Sequence, residues 1–273
     1  MITKPLRYSV SVLALASGLA LAGCETTSTN APGSASANAG ASELPAAPLA
    51  DDPLSQAAYW GARYEEEPES IELAIRYSAS LRQLGSLEEA SLFMSRVSSE
   101  HPNNADIFAE LAKIFVEARR GEEALAPLGR AIALRSDDWR LFSLEGVAYD
   151  QMGDYDRATT SYERAMQLSS NNPAILNNYG LSRALAGDLE GAEIMLEAAV
   201  GLPEASAQSR QNLALVKGLQ GDFNEAERLA RADLSPDAVN NNMAYYRSVL
   251  TQPAAWSDFE STPEEPTPLR NPE

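Results

Sequence analysis

One cysteine and one histidine occur in 273 residues, and each scarcity closes off chemistry. A lone cysteine forms no internal disulfide. A metal site draws about four ligands, usually His and Cys, and this chain offers only His101 and Cys24. His101 stands beside Pro102 in a predicted turn and reads as a surface loop residue. A serine or cysteine nucleophile would lack its activating base. No glycine loop of the kind that cradles phosphate is present. Asp150, Asp154 and Asp156 are not spaced as a calcium loop and read as turn and cap residues. Bases are scarce as well: 21 Lys and Arg stand against 39 Asp and Glu, a net charge of −18. So acidic a surface repels nucleic acid and anionic lipid headgroups. The chain therefore reads as a non-enzyme without cofactor, metal or nucleic-acid partner, which leaves recognition of other proteins.

Long apolar runs are also scarce. The main one, Ser9 to Gly23 ("SVSVLALASGLALAG"), has 15 residues, short of the ~20 that a membrane span needs. Lys4 and Arg7 precede it, and small residues follow, the layout of a secretory signal. Leu21-Ala22-Gly23-Cys24 resembles the bacterial lipobox. The resemblance implies that residues 1–23 are a lipoprotein signal peptide and that Cys24 carries lipid. It also implies several acyl chains, enough for stable anchoring where one chain is marginal. Glu25 stands where an aspartate often marks inner-membrane retention, so the expected location is the outer membrane, facing the periplasm. Residues 24–52 are rich in Ala, Ser, Thr, Gly and Pro and read as a flexible, lipidated tether. Residues 252–273 read as a disordered acidic tail in which Trp256 and Phe259 are the aromatic positions.

Between tether and tail, residues 53–251 are rich in helix formers and show little β-type alternation. A period of 34 runs through them. "GDYDRATTSYERA" from Gly153 aligns with "GDLEGAEIMLEAA" from Gly187 and "GDFNEAERLARAD" from Gly221. Ala90, Ala124, Ala158, Ala192 and Ala226 recur without a gap. Ser78, Ala112, Gly146, Gly180 and Ala214 form a second small column. Val97, Ala131, Ala165 and Ala199 form a third, which fails at Asp233. Small residues at fixed places let antiparallel helices approach closely.

The columns resemble the tetratricopeptide repeat, a 34-residue helix-turn-helix unit. Phe108, Phe115, Tyr149, Tyr162 and Pro102 match further positions of that pattern. The resemblance implies an all-α fold, a superhelix of antiparallel helix pairs. Five units are expected, at 71–104, 105–138, 139–172, 173–206 and 207–237, with a helix from Leu54 before them. A helix from Ala238 is expected to cover the open apolar edge of the last unit. The glycine of each unit should end the first helix in a left-handed turn. Ser86, Asp154, Asp188 and Asp222 should cap the second helices, with Ser86–Glu89 and Asp222–Glu225 as capping boxes. The second unit carries Arg119 in place of the glycine and Gly121 two residues later, so its turn is expected to differ.

In this superhelix the first helices line the concave face. Its outward positions in the last two units are expected to be Asn177, Asn178, Leu181, Leu185, Gln211, Asn212, Leu215 and Leu219. Asn178 and Asn212 are 34 residues apart and resemble the asparagine ladders with which some tetratricopeptide proteins grip a peptide backbone. The basic clamp of other members is missing. Over most of residues 1–250 the chain resembles the tetratricopeptide lipoprotein of the Flp, or tight-adherence (Tad), pilus assembly system, most sharply in "GDFNEAERLARADLSPDAVNNNMAYYRSVL" from Gly221. That resemblance implies an envelope adaptor whose partners are pilus secretion-channel or assembly components. An adaptor for cell-wall or other envelope enzymes is the alternative.

Overall fold

The computed structural model describes residues 52–251. The expected signal peptide, Cys24, the tether up to Asp51 and the tail from residue 252 lie outside the described residues. Twelve α-helices make up the described chain: α1 (Pro53–Glu66), α2 (Ile71–Gln83), α3 (Leu87–Glu100), α4 (Ala105–Glu117), α5 (Gly121–Leu134), α6 (Trp139–Gln151), α7 (Tyr155–Leu168), α8 (Pro173–Leu185), α9 (Leu189–Val200), α10 (Ala207–Leu219), α11 (Phe223–Ala230) and α12 (Pro236–Thr251). The first helices of the five units start at Ile71, Ala105, Trp139, Pro173 and Ala207, each 34 residues after the last. Each pairs with the helix that follows it and packs on the next unit.

The starts of the first helices have a local cause. Ser70, Asn104, Asp138, Asn172 and Ser206 precede them, and each side chain accepts a bond from a backbone N–H of the first turn. This satisfies donors that the helix itself leaves unpaired. In the second helices Asp154, Asp188 and Asp222 cap as expected. Ser86 makes no side-chain cap bond. Neither expected capping box closes: Glu89 instead accepts from the Tyr77 hydroxyl at 3.4 Å, and Glu225 pairs with Arg228.

Gly85, Gly153, Gly187 and Gly221 end first helices at φ of 76°, 72°, 85° and 88°. After each, the next N–H donates to a carbonyl five residues back, as Asp154 does to Tyr149 at 3.0 Å. The second unit was expected to differ, and it does not. Arg119 takes φ of 61°, and the Arg120 N–H donates to the Phe115 carbonyl at 2.8 Å. Packing of the helix pair fixes the turn, and Arg119 adopts a conformation that disfavours side chains. Gly121 serves packing instead: a Cβ there would lie 2.5 Å from the Ala148 carbonyl oxygen.

The small columns are where the helices touch. Ala90, Ala124, Ala158, Ala192 and Ala226 are all 0% exposed. A Cβ on Gly146 would fall 2.6 Å from the Tyr162 ring, so a glycine there lets α6 lie against α7. At the C-terminal end Val239, Met243 and Tyr246 of α12 join the core of α10 and α11, covering the last unit as a terminal cap must. Asp233, where the third column fails, accepts from Arg210 at 2.8 Å just beyond the short α11.

Candidate protein-binding face

The face carried by the first helices changes character along the chain. On α2 and α4 it is charged: Arg82 donates to Glu110 at 2.8 Å and pairs with Glu117, and Ser78 donates to Glu110 at 3.1 Å. On α8 and α10 it is amide and leucine, and α6 adds the Ser143 hydroxyl. Asn212 donates from Nδ2 to Oδ1 of Asn177 at 2.9 Å. Asn177 donates to Asn178 at 3.2 Å, and Asn178 donates to the Ser143 hydroxyl at 3.3 Å. The three amides and the Ser143 hydroxyl thus form one hydrogen-bonded row across three consecutive first helices.

Placement of the expected site residues follows from this row. Asn178, Leu181, Leu185, Gln211 and Leu219 are half-buried. Asn177 and Asn212 are buried, at 8% and 9% exposure, and are engaged with each other. Leu215 does not face outward. It is 2% exposed and belongs to the cluster that holds Met243 and Tyr246. The leucine at this repeat position in the fourth unit, Leu181, stays half-buried, whereas Leu215 of the fifth belongs to the core that α12 joins. Gln211 donates to Asp233 at 3.3 Å, while its Oε1 is buried without a hydrogen-bond partner. Gln211 stands outside the row, but an amide oxygen has two lone pairs, and the half-buried Asn178 accepts one bond, from Asn177, so its Oδ1 keeps capacity to accept from a backbone N–H laid along the row.

Asp150 is a second correction. It neither caps nor turns. It lies within α6, buried, accepting from the Tyr162 hydroxyl at 2.8 Å and from the Ser182 hydroxyl at 2.6 Å. Burial pushes its carboxyl up to about 6, and the two hydroxyl bonds oppose that rise. The Tyr162 hydroxyl is in turn raised well above its ordinary value by burial and by the neighbouring carboxylate. The missed signal is positional: the equivalent residues in the last two units are Ala184 and Gly218, so an acid here is out of pattern. Among the described residues no group of three or more His, Cys, Asp or Glu side chains is placed to hold a metal.

Residues 140–172 match the model of the tetratricopeptide repeat. A thermophilic tetratricopeptide protein of Thermus thermophilus is similar in structure, with a TM-score of 0.57 and 21% identity over 67% of this chain and 100% of that one. A chain of the APC/C hetero-tetramer Cut9–Hcn1 is similar with a TM-score of 0.59 and 16% identity, over 73% of this chain and 42% of that one. No curated protein sequence matches significantly. The fold is the all-α tetratricopeptide-repeat superhelix of antiparallel helix pairs.

Proposed function

We propose that this tetratricopeptide-repeat protein is a non-catalytic adaptor that holds segments of other proteins along its first-helix face. On this reading it is lipid-anchored at the outer membrane through Cys24, faces the periplasm, and assists assembly of the tight-adherence pilus. The observation that carries the binding reading is the row Asn212–Asn177–Asn178–Ser143 with Leu181 and Leu185 beside it. Amides donate and accept at once, which suits a peptide backbone whatever its sequence. The leucines supply the apolar area that desolvates such bonds. The lipobox-like segment supports the anchor, and the stretch from Gly221 supports the pilus system.

Deleting the gene and imaging surface pili tests the pathway. Loss of pili is expected, whereas intact pili with a cell-wall defect would point to an adaptor for envelope enzymes. Cys24→Ala should leave the chain unprocessed and out of the detergent phase. Intact mass spectrometry showing an unmodified start elsewhere would refute the anchor. Asn178→Ala combined with Asn212→Ala should keep the helical circular dichroism and weaken binding to the pulled-down partner about tenfold, since each lost bond is worth about 0.5–1.5 kcal/mol. Parental affinity in that variant would move the contact elsewhere.

A further inference from the structure

A different surface lies on the side of the second helices, at the N-terminal end of the stack. The helices α1 and α3 flank α2 and leave between them a groove of about 920 Å³. Its floor is aromatic. The rings of Tyr64 from α1 and Tyr77 from α2 each meet the ring of Phe93 from α3 edge-on, with centroids 5.0 Å apart. Leu92 stands at its edge, 66% exposed, one of the most open large apolar side chains of the described residues. Glu65, Glu88, Glu89, Glu100 and Arg96 form the rim. Arg120 takes Glu88 at 2.9 Å. Glu65, Glu89 and Glu100 make no ion pair among the described residues. Arg96 lies over Phe93, 5.6 Å from its centroid, so one aromatic face already accommodates a guanidinium.

We infer that this groove is a second docking surface, which takes a basic segment of a partner protein with a Lys or Arg side chain over the aromatic floor and an apolar neighbour against Leu92. The chemistry follows from the wall and floor together. Ring faces attract cations. Three carboxylates at the rim that make no ion pair add attraction of the same sign. Charge also selects the occupant. Residues 24–52 carry acids but no Lys or Arg, and residues 252–273 carry five acids and one Arg. Either segment of this chain would bring like charge to the rim, and so would a second copy of this acidic chain. A basic partner would bring none. The surface is separate from the amide row, which lies on α6, α8 and α10, whereas the groove is lined by α1, α2 and α3.

The test uses the full chain and two fluorescent peptides, one alternating Lys and Leu and one alternating Glu and Leu, followed by fluorescence anisotropy. The Lys/Leu peptide should bind and the Glu/Leu peptide should not. Glu65→Lys with Glu100→Lys should weaken the Lys/Leu peptide about tenfold or more, because two local attractions become repulsions. Glu163→Lys with Glu190→Lys makes the same change in net charge on exposed sites away from the groove and should weaken it less than twofold. Leu92→Ser should weaken it while leaving the melting temperature unchanged. Asn178→Ala with Asn212→Ala should leave it unaltered. Equal losses in the two charge-reversed variants would mean attraction to net charge alone and overturn the groove. So would equal binding of both peptides, or a loss confined to the asparagine variant.

Discussion

Glu110 and Asp150 are two buried carboxylates that each accept from a serine of a neighbouring unit, and the two are held in opposite ways. Glu110, with its side chain 5% exposed, has Arg82 at 2.8 Å and Lys113 at 3.4 Å beside the Ser78 hydroxyl. Asp150 has two hydroxyls, from Ser182 and Tyr162, and no cation contributes to its shift. The first two units therefore join through compensated charge, and the third and fourth through an acid whose charge is opposed by burial. A buried carboxylate bonded only to neutral donors is costly to ionise. The same repeat geometry thus tolerates two electrostatic solutions, one built on paired charges and one on a carboxyl that burial pushes up.

The comparison breaks most severely if the cation is removed. Arg82→Met should cost about 3–5 kcal/mol, since it leaves a buried carboxylate largely uncompensated. Urea unfolding measures this, and a cost below about 1 kcal/mol would mean that Lys113 and Ser78 suffice. The second change acts on Asp150. Its folded value lies above its ordinary one, rising from 3.8 to about 6. Its contribution is therefore fully favourable below pH 4 and is lost as pH rises through 6, to the extent of about 2–3 kcal/mol. Asp150→Asn should remove that loss. Melting temperatures of parent and variant, compared between pH 4 and 7.5, should diverge in the variant's favour as pH rises. Parallel curves would mean that the carboxylate is better solvated than its burial implies. The smallest effect concerns the turn in the second unit. Arg119→Gly relieves a side chain held at φ of 61° and should stabilise by about 1 kcal/mol. No gain in the denaturation midpoint would show that Arg119 has compensating contacts.

Much of the fold is legible in residue spacing because the repeat is regular. The glycines with positive φ, the alanines at 0% exposure and the starts of the first helices all follow one period. The site is less legible, and the reasons are physical. Outward position on a first helix follows from its phase, but Leu215 is buried in a core cluster that includes Val239, Met243 and Tyr246 of α12, which belongs to no repeat. Asn177 and Asn212 differ by 35 residues, so their bond escapes a search at period 34. Asp150 resembles a turn acid in sequence because Asp154 lies only four residues away, and only one of the two reaches solvent at a helix start. Arg119 hides the opposite way: composition argues against its conformation, and the packing of α4 on α5 imposes it.

The main helix contacts join elements no more than two places apart in the chain. Nothing distant must be brought together for the stack to form, so the entropy of closing long loops is largely absent from the folding barrier. The same locality means that an end can open while the middle stays shut, because each interface is sustained by its neighbours alone. Among the described residues the terminal helices α1 and α12 each have neighbours on one side only, and solvent exchange should enter from those two ends inward. Fraying at α1 would dismantle the aromatic floor at Tyr64 long before it reached the amide row on α8 and α10, so the two faces would be lost at different degrees of denaturation.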